Sequence, residues 1–315
     1  MPFTQQDIAQ GNYLVTGATG RTGRIVVEKL RDAGANVRAL VHSTAPEHQL
    51  DGVEYVEGDY QDKESLLAAT HGIDWVIACV GAQSATRGLH LIEAVEYQGT
   101  VNLTEAASEN GAKHMSLISV RGADTRWDFY PVYPAKARSD QRLIDARVGG
   151  TVFRPGGMID TSGDIVRRQA NTIKTGGTMN IYGTPNQPMV FIFLDELADY
   201  LIHSHLERRA YNNIYELGGP GNLTREEYWA LFEEYLGIKA NVRYLPVDDV
   251  VPLRQAAIRE QNMPLAHQLS REEIGGRNES GHPPMNIYSR LFDVKQRDFR
   301  LWLIGILKSV KAEER

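Results

Sequence analysis

Apolar residues in the first half of the chain fall in short runs, separated by longer stretches with helical spacing. Tyr13-Leu14-Val15-Thr16 is the first run, and it enters a cluster of glycines. Residues 24–33 then place Val26, Leu30 and Ala33 at helical spacing, and Gly34 stops the pattern. Residues 36–41 and 53–56 predict a second and a third strand, followed by a helix over 63–70. Residues 75–80 predict a fully apolar fourth strand. A long helix pattern covers 91–109, with Gly111 behind it. Beyond it, 114–120 predicts a fifth strand, 135–147 a helix and 151–153 a sixth strand. Strands this apolar, alternating with helices, imply an α/β fold: a doubly wound parallel sheet covered on both faces.

After Pro155 the rhythm changes. Residues 156–188 are rich in Gly, Thr, Asn and Pro, with one helix pattern near 165–175. A strand is predicted over 189–194, and Asp195 is placed to cap a helix over 196–206. Thr224-Arg225-Glu226-Glu227 is a capping box opening a further helix, and 275–287 reads as an exposed loop. The pattern predicts a nucleotide-binding domain over 1–155. A smaller α+β substrate region follows over 156–315, with crossings back to the sheet near 189–217.

Composition narrows the partners. The 315 residues carry a formal net charge of −6, with 42% hydrophobic and 23% charged residues. That balance suits a soluble globular protein and argues against nucleic acid as the main partner. Cys79 is the single cysteine, so no intrachain disulfide forms. The polar first ten residues lack a signal-peptide core. The longest apolar run, 301–307, is far too short to span a bilayer. It reads as a packed C-terminal helix or as a subunit contact, which leaves a homodimer open. Cytoplasmic localisation is the expectation. No metal site is expected: His203 and His205, two apart on a predicted helix, point to different sides.

The glycines carry the most specific signal. Gly17-Ala18-Thr19-Gly20-Arg21-Thr22-Gly23 follows a strand and opens a helix inside a βαβ unit. In that setting Gly17 permits the tight turn, Gly20 close approach of a pyrophosphate, and Gly23 close packing of helix on strand. The helix N-terminus adds amide donors and a positive dipole end.

The GxxGxxG spacing of residues 14–23 closely resembles the short-chain dehydrogenase/reductase superfamily. More narrowly it resembles the atypical branch of NmrA-like proteins, flavin and biliverdin reductases and isoflavone-reductase-like enzymes. Further matches are Gly58-Asp59, Ala78-Cys79-Val80-Gly81-Ala82, residues 97–103, Ser119, Phe153-Arg154-Pro155-Gly156, residues 195–198 and 215–220. The resemblance covers about residues 12–245. It implies that Thr19, Arg21, Thr22, Gly81 and Pro155 join the three glycines around the cofactor, and that Asp59 sits beside the adenine.

An acid at the end of the second strand would bind the ribose of NAD and repel a 2′-phosphate. Here that strand ends Arg38-Ala39-Leu40-Val41-His42-Ser43, with no acid. NADP is therefore favoured over NAD. Arg21, Arg38 and His42 are the basic candidates for the 2′-phosphate; Arg38 reads equally well as an outward, solvated residue.

In the main branch of the superfamily, Ser, Tyr and Lys act together with Tyr and Lys spaced YxxxK. Here Tyr133 lies three residues before Lys136, with Pro134 between them. The isoflavone-reductase-like subgroup uses a lysine on this helix without that tyrosine, and Lys136 with Asp140 and Leu143 resembles its pattern. The catalytic candidates are therefore Lys136, then Tyr133, then Ser119, whose hydroxyl equally suits a bond to its own backbone. Trp127, Phe129, Tyr130 and Tyr133 form either a wall for a flat apolar substrate or a plug closing the site. The resulting expectation is an NADPH-dependent reductase of a small carbonyl, enone or quinone-like substrate. The rival is an NADP-binding regulator, redox sensor or assembly factor without turnover; sugar-nucleotide epimerisation ranks third.

Overall fold

The computed structural model describes residues 3–42, 49–81, 88, 91–125, 129–277 and 285–313, with backbone alone at 285 and 286, and thirteen strands with their intervening helices lie among these described residues. The chain divides into two compact units. The first comprises Met1–Gly156, Leu194–Leu217 and Asn286–Lys295; the second comprises Gly157–Phe193, Gly218–Met285 and Gln296–Arg315.

The first unit begins with β1 (Asn12–Thr16), β2 (Asn36–Val41), β3 (Val53–Glu57), β4 (Trp75–Ala78), β5 (His114–Ile118) and β6 (Gly150–Pro155). The second unit contributes β7 (Gly157–Ile159), β8 (Thr178–Tyr182), β9 (Pro188–Met189) and β10 (Phe191–Phe193) before the chain returns to the first as β11 (Asn213–Leu217). The sheet of the first unit runs β11-β6-β5-β4-β1-β2-β3, and every pairing in it is parallel. This is a Rossmann sheet with its order reversing between β1 and β4. Thr16 lies level with Leu40 on β2 and with Ala78 on β4. The carboxyl ends of these strands therefore share one rim, where such folds bind ligands.

Both faces of the sheet are covered. On one, Leu14, Val76, Met115 and Leu117 pack with Leu66, Leu103, Ala107 and Leu143 from the helices. On the other, the helix Arg21–Asp32 buries Val26, Val27 and Leu30, and its Lys29 Nζ meets Asp199 Oδ1 at 2.6 Å from the helix Leu194–His203. Gly34, at φ +86°, ends the first of these helices as a left-handed cap. Its amide bonds Arg31 O, and Ala35 N bonds Leu30 O.

The second unit builds its own core from Phe193, Tyr228, Phe232, Phe299, Leu303 and Leu307. β7 pairs with β10, β9 with β12 (Leu223–Thr224), and β8 with β13 (Asn241–Leu245). The capping box forms as expected: Thr224 Oγ1 accepts from Glu227 N, and Glu227 Oε2 accepts from Thr224 N. The apolar run 301–307 lies on the helix Phe299–Ala312, with Leu303 and Leu307 buried and Leu301 68% exposed.

Several local expectations need correction. The strand expected over 189–194 is two, because β9 and β10 pair with different partners and the Val190 carbonyl between them accepts from Gly157 N. Asp195 lies inside the first turn of its helix rather than capping it. The loop expected over 275–287 is helical at both ends, in Met263–Arg277 and Met285–Leu291, and residues 278–284 lie outside the described ones. No helix among the described residues is long and apolar enough to cross a membrane.

Two buried histidines make the first unit acid-sensitive. His114 Nε2 lies 2.9 Å from Thr151 Oγ1, and His205 Nε2 lies 2.6 Å from Tyr13 Oη. Burial pulls both imidazoles down, His205 to about 3 and His114 well below its ordinary value. Unfolded histidine takes up its proton near pH ~6.5, so the unfolded chain binds more protons on acidification. Their contribution is thus complete above about pH 6.5 and is lost as pH falls toward the folded values. Urea midpoints measured from pH 7 to 4 should fall steadily in the wild type. The fall should be shallower in His114→Gln/His205→Gln; an unchanged slope would count against this assignment.

Candidate functional site

The chain turns sharply where β1 meets the helix Arg21–Asp32. Gly17 has φ +64°, and a Cβ there would come within 2.8 Å of the Cys79 backbone. A Cβ on Gly23 would run into the Gly17 carbonyl oxygen, and one on Gly20 would sit 3.1 Å from it. Gly20 N donates to that same carbonyl at 2.9 Å, which closes the turn. Gly17 and Gly23 are thus demanded by backbone packing against backbone, while Gly20 leaves a side chain a tight but extended-backbone position. The amides of Thr22 and Gly23, in the first turn, have no acceptor within their own helix.

A cavity of about 260 Å³ opens at this rim. Gly17 and Thr19 form its floor, and His42, Asp59 and Gly81 line it from the ends of β2, β3 and β4. Leu40, Val41 and Tyr60 add an apolar wall, with Leu91 and Val95 opposite from the following helical segment. Tyr60 Oη and Thr16 Oγ1 are 2.6 Å apart, and burial pushes the Tyr60 phenol up, so it stays neutral. Asp59 is held in place: its Oδ1 accepts from Gln61 N at 2.8 Å, and Ser65 Oγ accepts from Asp59 N at 3.0 Å. Its other oxygen lies 3.6 Å from His42 Nε2. An amide-rich turn beneath a half-apolar cleft fits a dinucleotide, with phosphates at the helix head and adenosine along the wall.

The expected cofactor residues divide accordingly. Gly17, Thr19, His42, Asp59 and Gly81 line the cavity; Gly20, Arg21, Thr22 and Gly23 form the rest of its turn and helix head. Arg38 is placed elsewhere. Its guanidinium bonds Glu54 at 2.8 Å and the Ala69 and His71 carbonyls at 2.9 Å each, at the end of the helix Lys63–Thr70. Pro155 ends β6, where its carbonyl accepts from Arg121 N. Leu40, Val41, Tyr60, Gln61, Leu91 and Val95 line the cavity without having been singled out in the sequence. For Leu40, Val41, Tyr60 and Gln61 the available signal was a position at or just past a strand end; Leu91 and Val95, on the helical segment after β4, offered none.

The catalytic candidates gather at the end of β5. Lys136 Nζ lies 2.8 Å from Glu96 Oε2, with side-chain exposures of 7% and 1%. It also donates to Ile118 O at 3.4 Å. Glu96 comes from Ile92–Gly99, a π-wound segment that continues as the α-helix Thr100–Glu109. One helix-spacing further along Lys136's own helix, Val132–Ile144, stands Asp140. Its Oδ2 accepts from Ser119 Oγ at 2.9 Å and from Arg154 Nε at 2.8 Å, and Arg154 reaches on to Asp124 at 3.0 Å. Burial pushes the Asp140 carboxyl above the usual carboxylate range, against the pull of Arg154 and Ser119. Tyr133 and Tyr130 are buried, ring centroids 5.8 Å apart; Trp127 lies outside the described residues.

Comparison with known proteins matches this fold. The model of a family described as NAD(P)H-binding covers residues 17–180, more than half of the chain, and the chain belongs to that family. It is an atypical short-chain dehydrogenase/reductase of the NmrA-like kind, a class of NAD(P)-binding oxidoreductases. Among its relatives is the photosystem II assembly factor Ycf39 of Guillardia theta, 26% identical over 76% of this chain and 75% of that protein. Another is isoflavone reductase homolog A622 of Nicotiana tabacum, 25% identical over 83% of this chain and 84% of that protein. In structure it is similar to the NADPH-dependent quinone oxidoreductase QOR2 of Escherichia coli, solved with NADPH. The TM-score is 0.69 at 18% identity, covering 95% of this chain and 99% of that one.

The buried pair changes what a lysine substitution does. Lys136→Ala removes the counter-charge from the buried Glu96 carboxylate, at a cost of about 3–5 kcal/mol. Removing both charges in Glu96→Leu/Lys136→Met should recover most of that loss. Chemical denaturation of the two variants checks this; a single variant as stable as the wild type would show that the pair is not formed.

Proposed function

We propose that this chain is an NADPH-dependent reductase acting on a small apolar or aromatic carbonyl, enone or quinone-like acceptor. The observation that carries the reading is the placement of buried Lys136 at the carboxyl end of β5, on the same sheet edge as the cofactor cavity. When bound, NADPH supplies the hydride. Around it, the loop amides hold the phosphates, and His42 stands at the end of β2 beside the cavity. Lys136, fixed by Glu96, offers a positioned charge to an acceptor oxygen, with Tyr133 in the first turn of the same helix as a proton source. The quinone oxidoreductase and isoflavone reductase homolog among its relatives support the reaction class.

One observation favours a second reading, an NADP-binding regulator or assembly factor. Ser119 donates its proton to Asp140 and Lys136 faces Glu96, so two of the three catalytic candidates are engaged inside the protein. The assembly factor among the relatives is consistent with it.

Binding and turnover separate the two. Gly20→Asp, which puts a carboxylate where the pyrophosphate sits, should abolish NADPH binding by calorimetry in a folded protein. Single-turnover oxidation of bound NADPH should then be followed with quinones, enones and aromatic carbonyls. For a reductase, Glu96→Leu/Lys136→Met should keep NADPH binding within a few-fold while turnover falls by roughly two to four orders of magnitude. Wild-type protein that binds NADPH but reduces no member of the panel would move the conclusion to the second reading.

A further inference from the structure

We propose that the π-wound segment Ile92–Gly99 ties the two ends of the site together: adenosine in the cavity steadies the Glu96–Lys136 pair. The adenosine half of the cofactor then helps to hold the ammonium as well as supplying affinity. The inference rests on the cavity being the dinucleotide site and is independent of turnover.

One short stretch of helix serves both ends. Leu91, at its head, and Val95 line the cavity. The next residue, Glu96, is buried and holds Lys136 Nζ at 2.8 Å. None of the residues lining the cavity comes from Val132–Ile144, the helix that carries Lys136. A ligand against Val95 therefore stands one residue from the carboxylate that fixes the ammonium, while the lysine's own helix stands outside the cavity wall.

The segment is pinned on both sides, so a restraint on one side passes to the other. Toward the cavity, a Cβ on Gly99 would come within 2.7 Å of the Tyr60 side chain, and Asn102 Nδ2 donates to Tyr60 O at 2.9 Å. Tyr60 is itself part of the cavity wall. Toward the lysine's helix, Arg138 Nη2 donates to Glu93 Oε2 at 2.5 Å, and the guanidinium lies 4.2 Å from the centre of the Tyr97 ring. Those outer groups are exposed and hold weakly. The pair at Glu96 is buried and is screened much less. A π turn takes one residue more than an α turn. A small change of winding moves Val95 and Glu96 together, and a ligand that fixes the winding fixes both. Order gained at one site in this way lowers the cost of order at the other, and the effect is reciprocal.

Hydrogen exchange with and without AMP carrying a 2′-phosphate tests this, because that half of the cofactor has no nicotinamide. At saturation, amides of Ile92–Gly99 and of Val132–Ile144 should both exchange about tenfold more slowly, within the range of coupled sites. In Glu96→Leu/Lys136→Met the slowing should stay in the first segment and be largely lost from the second. Glu96→Gln keeps the shape of the side chain and removes its charge; it should behave the same way and serves if the double variant does not fold. Wild-type slowing confined to the segments that line the cavity would overturn the inference. So would a slowing of Val132–Ile144 that is undiminished in these variants. Either result leaves the dinucleotide site standing. Failure of the fragment to bind the wild type would overturn both, since the cavity would then not take adenosine.

Discussion

Everything at the candidate site depends on how closely one helix approaches one strand. The head of the helix Arg21–Asp32 sits so near the end of β1 that Gly23 and the Gly17 carbonyl have no space for a methyl group between them. Gly17 in turn presses on the backbone of Cys79 at the end of β4. These are backbone-to-backbone contacts, and no rotamer change relieves them. They hold the amide-bearing end of the helix at the point where the strand order reverses. Parallel register then brings the ends of β2, β3 and β4 to the same level. His42, Asp59 and Gly81 surround the turn because the sheet leaves them nowhere else to go.

The second constraint is electrostatic. Glu96, Lys136, Asp140 and Arg154 are buried near one another at the end of β5, in two opposed pairs. Burying charges costs several kcal/mol each before their attraction repays it, and an apolar core of the same volume is often as stable or more so. Such an arrangement is weak as a stabiliser and strong as a positioning device. It fixes an ammonium, a hydroxyl and a carboxyl in orientations that freely rotating surface groups would not keep. The π-wound segment Ile92–Gly99 belongs to the same device, since its altered winding presents Glu96 to Lys136; such segments recur at functional sites.

The fold was largely legible in the sequence because a sheet buried on both faces writes itself as apolar runs, and because Gly17 and Gly23 of the turn leave no room for a side chain. Depth along a strand was less legible. Arg38 and Leu40, two apart on β2, lie on the same face, and Leu40 lines the cavity. Arg38 is on the right face but about 7 Å short of the rim, where the carbonyls ending a helix take it instead. The partner of Lys136 was not legible at all. Glu96 lies forty positions earlier in a segment whose π-winding departs from the 3.6-residue spacing on which sequence patterns are read. The helices Val250–Arg259 and Met263–Arg277 escaped for a different reason, since they pack as a small satellite around Val250, Ala257, Ala266 and Leu269 and need only a weak apolar stripe.

The buried pairs also bear on how this chain departs from its superfamily. In the YxxxK arrangement a full helical turn carries the lysine beside the phenol, and the two act as one acid. Here the spacing is one residue shorter and a proline intervenes, while Lys136 finds its partner in a carboxylate from another helix. Tyr133, three residues before the lysine, sits in the first turn of the same helix. The lysine becomes a fixed positive point whose value lies in where it stands rather than in what it gives up. Under the proposed reading, chemistry at such a site draws on this electrostatic placement, with Tyr133 supplying the proton. The same site with its acceptor space closed would bind cofactor and report on it without turnover. The relatives include both an assembly factor and an isoflavone reductase homolog, so the shared architecture does not by itself fix turnover.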